Sequence, residues 1–135
     1  MKYKGVYYWM KRQKQQASKD GFVTTMFGRK RNLVGLDSDN QRIKASAERQ
    51  ALNTTIQGTA ADIIKIAMIK VDKMLKFLNP KCKLILQIHD ELVYECPENC
   101  ATDIAEAIKR EMENAVKLKV PLVADVATGK NLGEL

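Results

Sequence analysis

Three consecutive ionisable residues, His89, Asp90 and Glu91, stand between two apolar, β-prone segments, residues 83–88 and 92–95. A tight hairpin turn usually carries Asn-Gly or Asp-Gly, and this tripeptide lacks the glycine. Adjacent carboxylates repel one another unless a cation is near, and hard oxygen ligands of this kind suit Mg²⁺. The tripeptide therefore predicts a hairpin tip at which Asp90 and Glu91 bind a metal ion, with a plain solvated turn as the alternative. A zinc site that combines His89 with cysteine is disfavoured, because the spacing matches no zinc pattern.

A second set of polar residues, Arg49, Asn53 and Gln57, recurs every four residues, and we call it the donor row. If the backbone is helical here, the three side chains share one face. Each offers N–H donors, and a row of donors suits the DNA minor groove, where every base pair presents acceptors in nearly the same place. The alternatives are an ordinary polar face exposed to solvent, and a kink at the neighbouring threonines and Gly58, which are poor helix formers.

The positive charge is concentrated in the first part of the chain. Residues 1–50 carry 12 of the 23 basic residues and only 4 of the 16 acidic ones, within a net charge of +7. They include the consecutive residues Arg29, Lys30 and Arg31, which we call the basic run. This asymmetry predicts a polyanionic partner, with nucleic acid ahead of an anionic membrane. A solvated basic helix without any partner is the alternative.

Length and composition restrict the class of protein. A chain of 135 residues, 45% hydrophobic and 29% charged, fits one compact globular domain. No apolar stretch approaches the roughly 20 residues of a membrane span, and no secretory leader pattern opens the sequence. Three cysteines without a C-x-x-C pair argue against a disulfide framework or a structural zinc site. We therefore expect an intracellular protein with no membrane partner.

The hydrophobic period locates the elements that must position these residues. Residues 3–20, 42–78 and 104–116 carry apolar side chains at helical spacing. The segments on either side of residues 89–91 are short, apolar and β-branched and predict a β-hairpin, while residues 120–127 predict a final strand. The expected fold class is α+β, with a small antiparallel sheet, made of the hairpin plus the C-terminal strand, packed against amphipathic helices.

Several segments closely resemble, in the same order, the C-terminal palm of family A DNA polymerases, the DNA polymerase I group. The segments that carry this resemblance are residues 21–31, 48–62, 87–95, 120–123 and 129–131. The resemblance covers nearly the whole chain without a large insertion. It implies template-directed DNA synthesis, a nucleotidyl transfer to a primer 3′-hydroxyl, in DNA replication or repair. It also implies one partial domain, in which residues 1–41 end the fingers region and residues 42–135 form the C-terminal palm.

The same resemblance implies a role for each candidate residue. Asp90 is expected to be one of two carboxylates that hold the catalytic Mg²⁺ ions, with Glu91 as a supporting acid and His89 close to the primer terminus. The donor row is expected to contact the newly formed primer–template pair. The basic run is expected to contact the DNA backbone.

Two features of the family have no counterpart in this sequence. They are a second catalytic Asp on an Asp-Tyr-Ser-like strand and a fingers helix of Arg-x-x-x-Lys type, which holds the phosphates of the incoming deoxynucleoside triphosphate. We therefore expect the isolated chain to bind Mg²⁺ weakly, to be inactive as a polymerase and to need a missing upstream polymerase segment. The sheet is expected to have an open apolar edge where a strand is missing, which favours self-association.

Two other functions fit part of the pattern. A non-catalytic primer–template DNA-binding module would keep the donor row, but such a module has no use for two acids beside DNA. A single-subunit RNA polymerase is disfavoured because Glu91 follows Asp90, as in the DNA enzymes, whereas that group usually carries Ser at this position.

Overall fold

The structure is a computed structural model that describes residues 3–134. It combines helices with short antiparallel strands, so the predicted α+β class is confirmed. The helices are α1 (Lys4–Asp20), α2 (Gln41–Leu78) and α3 (Ala101–Glu113). The strands are β1 (Phe22–Thr24), β2 (Lys30–Asn32), β3 (Lys83–Ile88) and β4 (Glu91–Glu95). Short 3-10 helices lie at Glu98–Cys100, before α3, and at Leu132–Glu134, after it.

The sheet arrangement differs from the expected one. The described strands form two separate two-stranded antiparallel sheets, β1–β2 and β3–β4. Residues 120–127 adopt no strand, so the predicted C-terminal strand is wrong. Its three valines are exposed, Val120 at 66%, Val123 at 77% and Val126 at 42%. A strand exists only when its backbone N–H and C=O groups find a paired edge, and the apolar pattern of residues 120–127 carries no information about that edge.

The chain forms two compact units, the first ending at Asp62 and the second beginning at Ile63, and helix α2 contributes residues to both. The partition at residues 41 and 42, into the end of a fingers region and a palm, stays a prediction. No helix within residues 3–134 combines the length and the apolar composition that a bilayer span requires.

In the first unit, helix α1 ends where the chain turns into β1. Gly21 has φ 74°, in the left-handed region that favours glycine, and its N–H donates a hydrogen bond of 2.9 Å to the carbonyl of Ala17. Strand β1 then pairs with β2, with Val23 opposite Arg31. One cluster of buried apolar residues in this unit draws on α1, β1, α2 and the segment before α2: Ala17, Val23, Leu33, Leu36, Ala47 and Ala51.

In the second unit, the C-terminal part of α2 packs with α3. Val71 and Leu75 of α2 and Ile104 and Ile108 of α3 are buried in one cluster. Tyr94 of β4 packs against the same cluster. The β3–β4 hairpin is therefore attached to the helices of this unit through one face.

Candidate functional site

The predicted hairpin is confirmed, and its loop consists of two residues, His89 and Asp90. Glu91 was expected in the loop, but it is the first residue of β4 and pairs with Ile88. His89 has φ 54°, a conformation that two-residue hairpin loops require and that usually selects glycine or asparagine. A side chain in this region costs roughly 1 kcal/mol. The Gln87 Nε2 group donates a hydrogen bond of 3.1 Å to the His89 carbonyl and so supports the turn.

Strand β3 contains an irregularity that the sequence pattern does not reveal. Leu84 pairs with Tyr94 and Leu86 pairs with Val93, so Ile85 has no partner residue on β4. An extra residue of this kind bends a strand and changes the direction of the side chains that follow it. The direction of the hairpin tip therefore depends on this bulge as well as on the loop.

The two acids of the hairpin tip are available as ligands. The side chains of Asp90 and Glu91 are exposed and make no hydrogen bond or ion pair with any residue of the described part of the chain. Free carboxylate oxygens suit Mg²⁺, which keeps several waters and takes only one or two carboxylates from a protein. No three acidic, histidine or cysteine side chains within residues 3–134 converge into a closed metal site. The donor set fits an open Mg²⁺ site to which other groups contribute.

The donor row lies on an unbroken helix. Helix α2 is continuous from Gln41 to Leu78, so it does not break at Gly58. The threonine hydroxyls near Gly58 are satisfied inside the helix, where Thr55 Oγ1 donates to the Ala51 carbonyl at 3.0 Å and Thr59 Oγ1 donates to the Thr55 carbonyl at 2.6 Å. Every member of the donor row is exposed and makes no hydrogen bond or ion pair to another described residue. Their N–H groups are therefore available to a ligand.

The first residue of the basic run joins the β1–β2 turn to helix α2. Arg29 Nε donates to Asp62 Oδ1 at 2.8 Å, and Arg29 Nη2 donates to the Gly58 carbonyl at 3.0 Å. Beside it, the Met26 N–H donates to Thr59 Oγ1 at 2.9 Å. The guanidinium of Arg29 is thus an internal anchor, and the turn and the helix are held together within the first unit.

The other two residues of the basic run are also engaged within the first unit. Arg31 Nη1 donates to Thr54 Oγ1 at 3.1 Å, and Arg31 Nη2 donates to Gln50 Oε1 at 3.4 Å. Lys30 Nζ lies 3.8 Å from the centre of the Phe22 ring. The expected contact between the basic run and the DNA backbone stays a prediction.

Sequence reasoning missed residues of α2 that accept hydrogen bonds from the β1–β2 turn, Asp62 from Arg29 and Thr59 from the Met26 N–H. Asp62 and Thr59 were not singled out, although they hold the turn. One signal was present, because a glycine inside a helical pattern costs stability and often indicates close approach of another segment. Gly58 is such a glycine, and Arg29 donates to its carbonyl.

Replacing Gly58 by alanine is expected to destabilise the first unit, although alanine is the better helix former. The added Cβ would lie 2.9 Å from Thr25 Cγ2 and 3.3 Å from Arg29 Nη2. Thr25 is buried, with 4% of its surface exposed, and its β-branched side chain has little freedom to move. The gain in helix propensity is about 1 kcal/mol and overpacking costs about 1–3 kcal/mol. We expect a net loss of about 1 kcal/mol in the free energy of unfolding, measured by urea denaturation.

Gly5→Ala is the matched control. Gly5 lies in α1, and an added Cβ would meet nothing within 4 Å. Only the higher helix propensity of alanine acts at this position, so the free energy of unfolding is expected to rise by up to about 1 kcal/mol. If both substitutions stabilised the protein equally, the close contact between the turn and α2 would be refuted.

The chain matches known proteins over most of its length. The model of DNA polymerase family A matches residues 1–134. DNA polymerase I of Caldicellulosiruptor bescii is 53% identical over 115 residues, which cover 85% of this chain and 14% of that protein. DNA polymerase I of Pseudomonas aeruginosa is 43% identical over 133 residues, which cover 98% of this chain and 15% of that protein. The chain therefore spans only a small part of the length of these curated relatives.

A solved structure shares the fold. It is the POL domain of Pol1 from M. smegmatis, in a complex with DNA primer-template and dNTP. The two structures superpose with a TM-score of 0.82 at 44% sequence identity, over 87% of this chain and 21% of that one. The observed helices and small antiparallel sheets thus correspond to part of that solved chain.

Proposed function

The chain belongs to DNA polymerase family A, and from this membership we propose that it serves as the C-terminal palm portion of a polymerase that carries out template-directed DNA synthesis. The observation that carries the proposal is the hairpin tip, where Asp90 in the two-residue loop and Glu91 at the start of β4 present free carboxylates at adjacent positions. Residues 1–41 belong to the end of the fingers region in this proposal, and residues 42–135 belong to the palm. The site of action is intracellular, where the DNA is.

In the proposed polymerase, Asp90 and Glu91 hold Mg²⁺, and His89 lies close to the primer terminus. The metal, when bound, supplies charge neutralisation at the phosphoryl oxygens and a more acidic primer 3′-hydroxyl. The chain supplies negative charge at a fixed place, because the bulged strand and the strained loop define where the two carboxylates point. Their exposure supports access by a DNA end.

The donor row contacts the newly formed primer–template pair in this proposal. Free N–H groups at regular spacing on an unbroken helix support it. Minor-groove acceptors occupy nearly the same positions in every base pair, so such contacts test the geometry of a pair without reading its sequence. A mismatched pair moves these acceptors and loses the contacts.

Replacing Arg49 by alanine is expected to weaken binding of primer–template DNA by about 1–3 kcal/mol, with little dependence on sequence. The lost interaction is with acceptors that all base pairs share. The measurement is fluorescence anisotropy with several primer–template sequences at one salt concentration.

Lys65→Ala is the charge-matched control for that measurement. Lys65 is an exposed cation on the same helix, outside the donor row. Its removal is expected to change affinity less than the removal of Arg49 does. Equal losses for both variants would show that only overall charge matters, and a strong dependence on sequence would contradict the minor-groove contact.

The proposal includes other parts of a polymerase. The chain spans 14% and 15% of two relatives named DNA polymerase I. An upstream polymerase segment supplies the second catalytic Asp and the fingers helix that binds deoxynucleoside triphosphates. The described part of the β3–β4 sheet has only two strands, and Ile85 and Ile88 are 54% and 44% exposed. These features support self-association of the isolated chain through the sheet.

The proposal is tested with a chimera in which this chain replaces the matched segment of the M. smegmatis POL domain. The identity of 44% over 87% of this chain makes that replacement feasible. The assay is extension of a labelled primer with Mg²⁺ and four deoxynucleoside triphosphates. The isolated chain, assayed beside the chimera, is expected to give no extension.

A further inference from the structure

Three cysteines come together in the second unit. Cys82 is 6% exposed and belongs to the buried cluster, and Cys96 and Cys100 pack against that cluster. All three are free thiols. Burial, and then the neighbouring Cys100 and Cys96 thiols, raise the pKa of Cys82 to about 11. Burial also raises the pKa of Cys96. Cys82 and Cys96 flank the open end of the β3–β4 hairpin, opposite its tip, and the proposed polymerase function makes no use of the cluster.

Two of these cysteines lie just beyond the last residue pair of the β3–β4 ladder. Lys83 pairs with Glu95 at the open end of the hairpin. Cys82 directly precedes Lys83 and Cys96 directly follows Glu95, and the two thiols are hydrogen-bond neighbours. A ladder continued by one position would set them across from each other. Directly opposed residues of an antiparallel pair have Cα atoms about 4.5–5.5 Å apart and side chains on the same face. That separation lies within the range in which a disulfide forms without movement of the backbone.

The third cysteine, Cys100, makes hydrogen bonds to Asn79 and Pro97. Cys100 Sγ accepts a hydrogen bond of 3.4 Å from Asn79 Nδ2 and donates one of 3.3 Å to the Pro97 carbonyl. These bonds fix its sulfur at the start of α3, outside the strand ladder. The Cys100 thiol also neighbours Cys82, so the preference for Cys96 rests on its place beside the strand ladder.

We propose that Cys82 and Cys96 are a modification site, at which exchange with a low-molecular-weight disulfide such as oxidised glutathione forms an intramolecular disulfide across the open end of the β3–β4 hairpin. The thiolate of the part-exposed Cys96 attacks one glutathione sulfur, breaks the glutathione S–S bond and releases one glutathione thiolate. The Cys82 thiolate then attacks the Cys96 sulfur of the mixed disulfide and releases the second glutathione thiolate. Two cysteine thiols are oxidised, one glutathione disulfide is reduced, and the two thiol protons pass to the two glutathione products.

This bond closes the hairpin that carries Asp90 at its tip. The closed loop has about 15 residues, and cross-linking a loop of that length restricts the unfolded chain. We expect the melting temperature of the oxidised chain to exceed that of the reduced chain by roughly 10 °C. The reduced form regains its original melting temperature when a dithiol reductant is added.

The test uses the full chain in defined mixtures of oxidised and reduced glutathione, followed by alkylation of the remaining thiols and mass spectrometry. Cleavage after Lys83 and after Glu98 separates the three cysteines from one another. The expected product has lost two hydrogens, retains no glutathione and joins Cys82 to Cys96. Cys100→Ser is expected to form the same bond, whereas Cys96→Ser is expected to form none and to show no oxidant-dependent rise in melting temperature.

Other products overturn the proposal. A bond from Cys100 to either of the other cysteines would refute the cross-strand geometry. A stable glutathione adduct, a dimer linked between chains, or three thiols that stay free under oxidising mixtures would each refute the internal disulfide. Because the wild-type chain alone gives the decisive fragment, the result does not depend on whether a variant folds.

Discussion

Substitution of Asp90 by asparagine in the chimera is expected to slow primer extension about a thousandfold or more, because a ligand to a catalytic metal contributes several kcal/mol to the transition state. Asparagine keeps the size of the side chain and removes its charge. The Asp90 side chain is exposed and has no hydrogen-bond or ion-pair partner among the described residues, so the fold does not depend on it. The measurement is single-turnover primer extension at saturating primer–template DNA and Mg²⁺.

Asp125→Asn is the matched control for this prediction. Asp125 is exposed, and the change removes the same charge from the same side chain. Extension by this variant is expected to stay within about twofold of the parent chimera, as for most surface substitutions. Comparable losses in both variants would assign the effect to net charge. Full activity of the Asp90 variant would remove Asp90 from the metal site.

Arg29→Ala is expected to lower the free energy of unfolding by about 3 kcal/mol, since it breaks an ion pair from one side and leaves a largely buried carboxylate without its guanidinium. Asp62 is 12% exposed and Arg29 is 50% exposed in this pair, whose N–O distance is 2.8 Å. The figure is at the low end of the range for buried pairs because the arginine is half in solvent. The substitution also removes the hydrogen bond to the Gly58 carbonyl. Urea unfolding followed by circular dichroism measures the loss.

Lys30→Ala is the matched control for the anchoring role of Arg29. Lys30 is the next residue of the basic run, is exposed, and contacts only the Phe22 ring among the interactions described for it. Its removal is expected to cost about 0.5–1 kcal/mol of stability, as for an exposed cation–π contact. If Arg29→Ala cost no more than Lys30→Ala, the anchoring of the β1–β2 turn by Arg29 would be contradicted.

The helices were predictable because their signal is local. Apolar spacing over residues 3–20, 42–78 and 104–116 predicted three helices, and the structure has helices at Lys4–Asp20, Gln41–Leu78 and Ala101–Glu113. The β3–β4 hairpin was also predictable, since two β-prone segments are separated by very few residues. In each case the information lies in side chains close together in the chain.

Features that depend on distant partners were not predictable in the same way. Residues 120–127 have the apolar side chains typical of a strand, but their backbone pairs with no other strand. Glu91 belongs to β4 because the loop is shorter than the polar tripeptide suggested. The bulge at Ile85 depends on the register between two strands, which the pattern of one strand does not contain.

The candidate site also combines features that local sequence predicts with features that depend on distant partners. Residue types alone selected Asp90, Glu91 and the donor row, and the structure leaves all of these side chains exposed. The basic run was selected by charge alone, but charge does not reveal that Arg29 reaches Asp62, 33 residues further along the chain. The proposed pairing of Cys82 with Cys96 likewise depends on the strand register, which ends with Lys83 opposite Glu95.

The most direct test of the proposed function is primer extension by the chimera, measured beside its Asp90→Asn variant after both have been shown to melt at the same temperature and to bind primer–template DNA equally. We predict template-directed extension by the chimera and almost none by the variant. A folded chimera that binds primer–template DNA without extending it would contradict the account and would favour a non-catalytic binding module. Equal extension by both proteins would contradict the role of the hairpin-tip carboxylate.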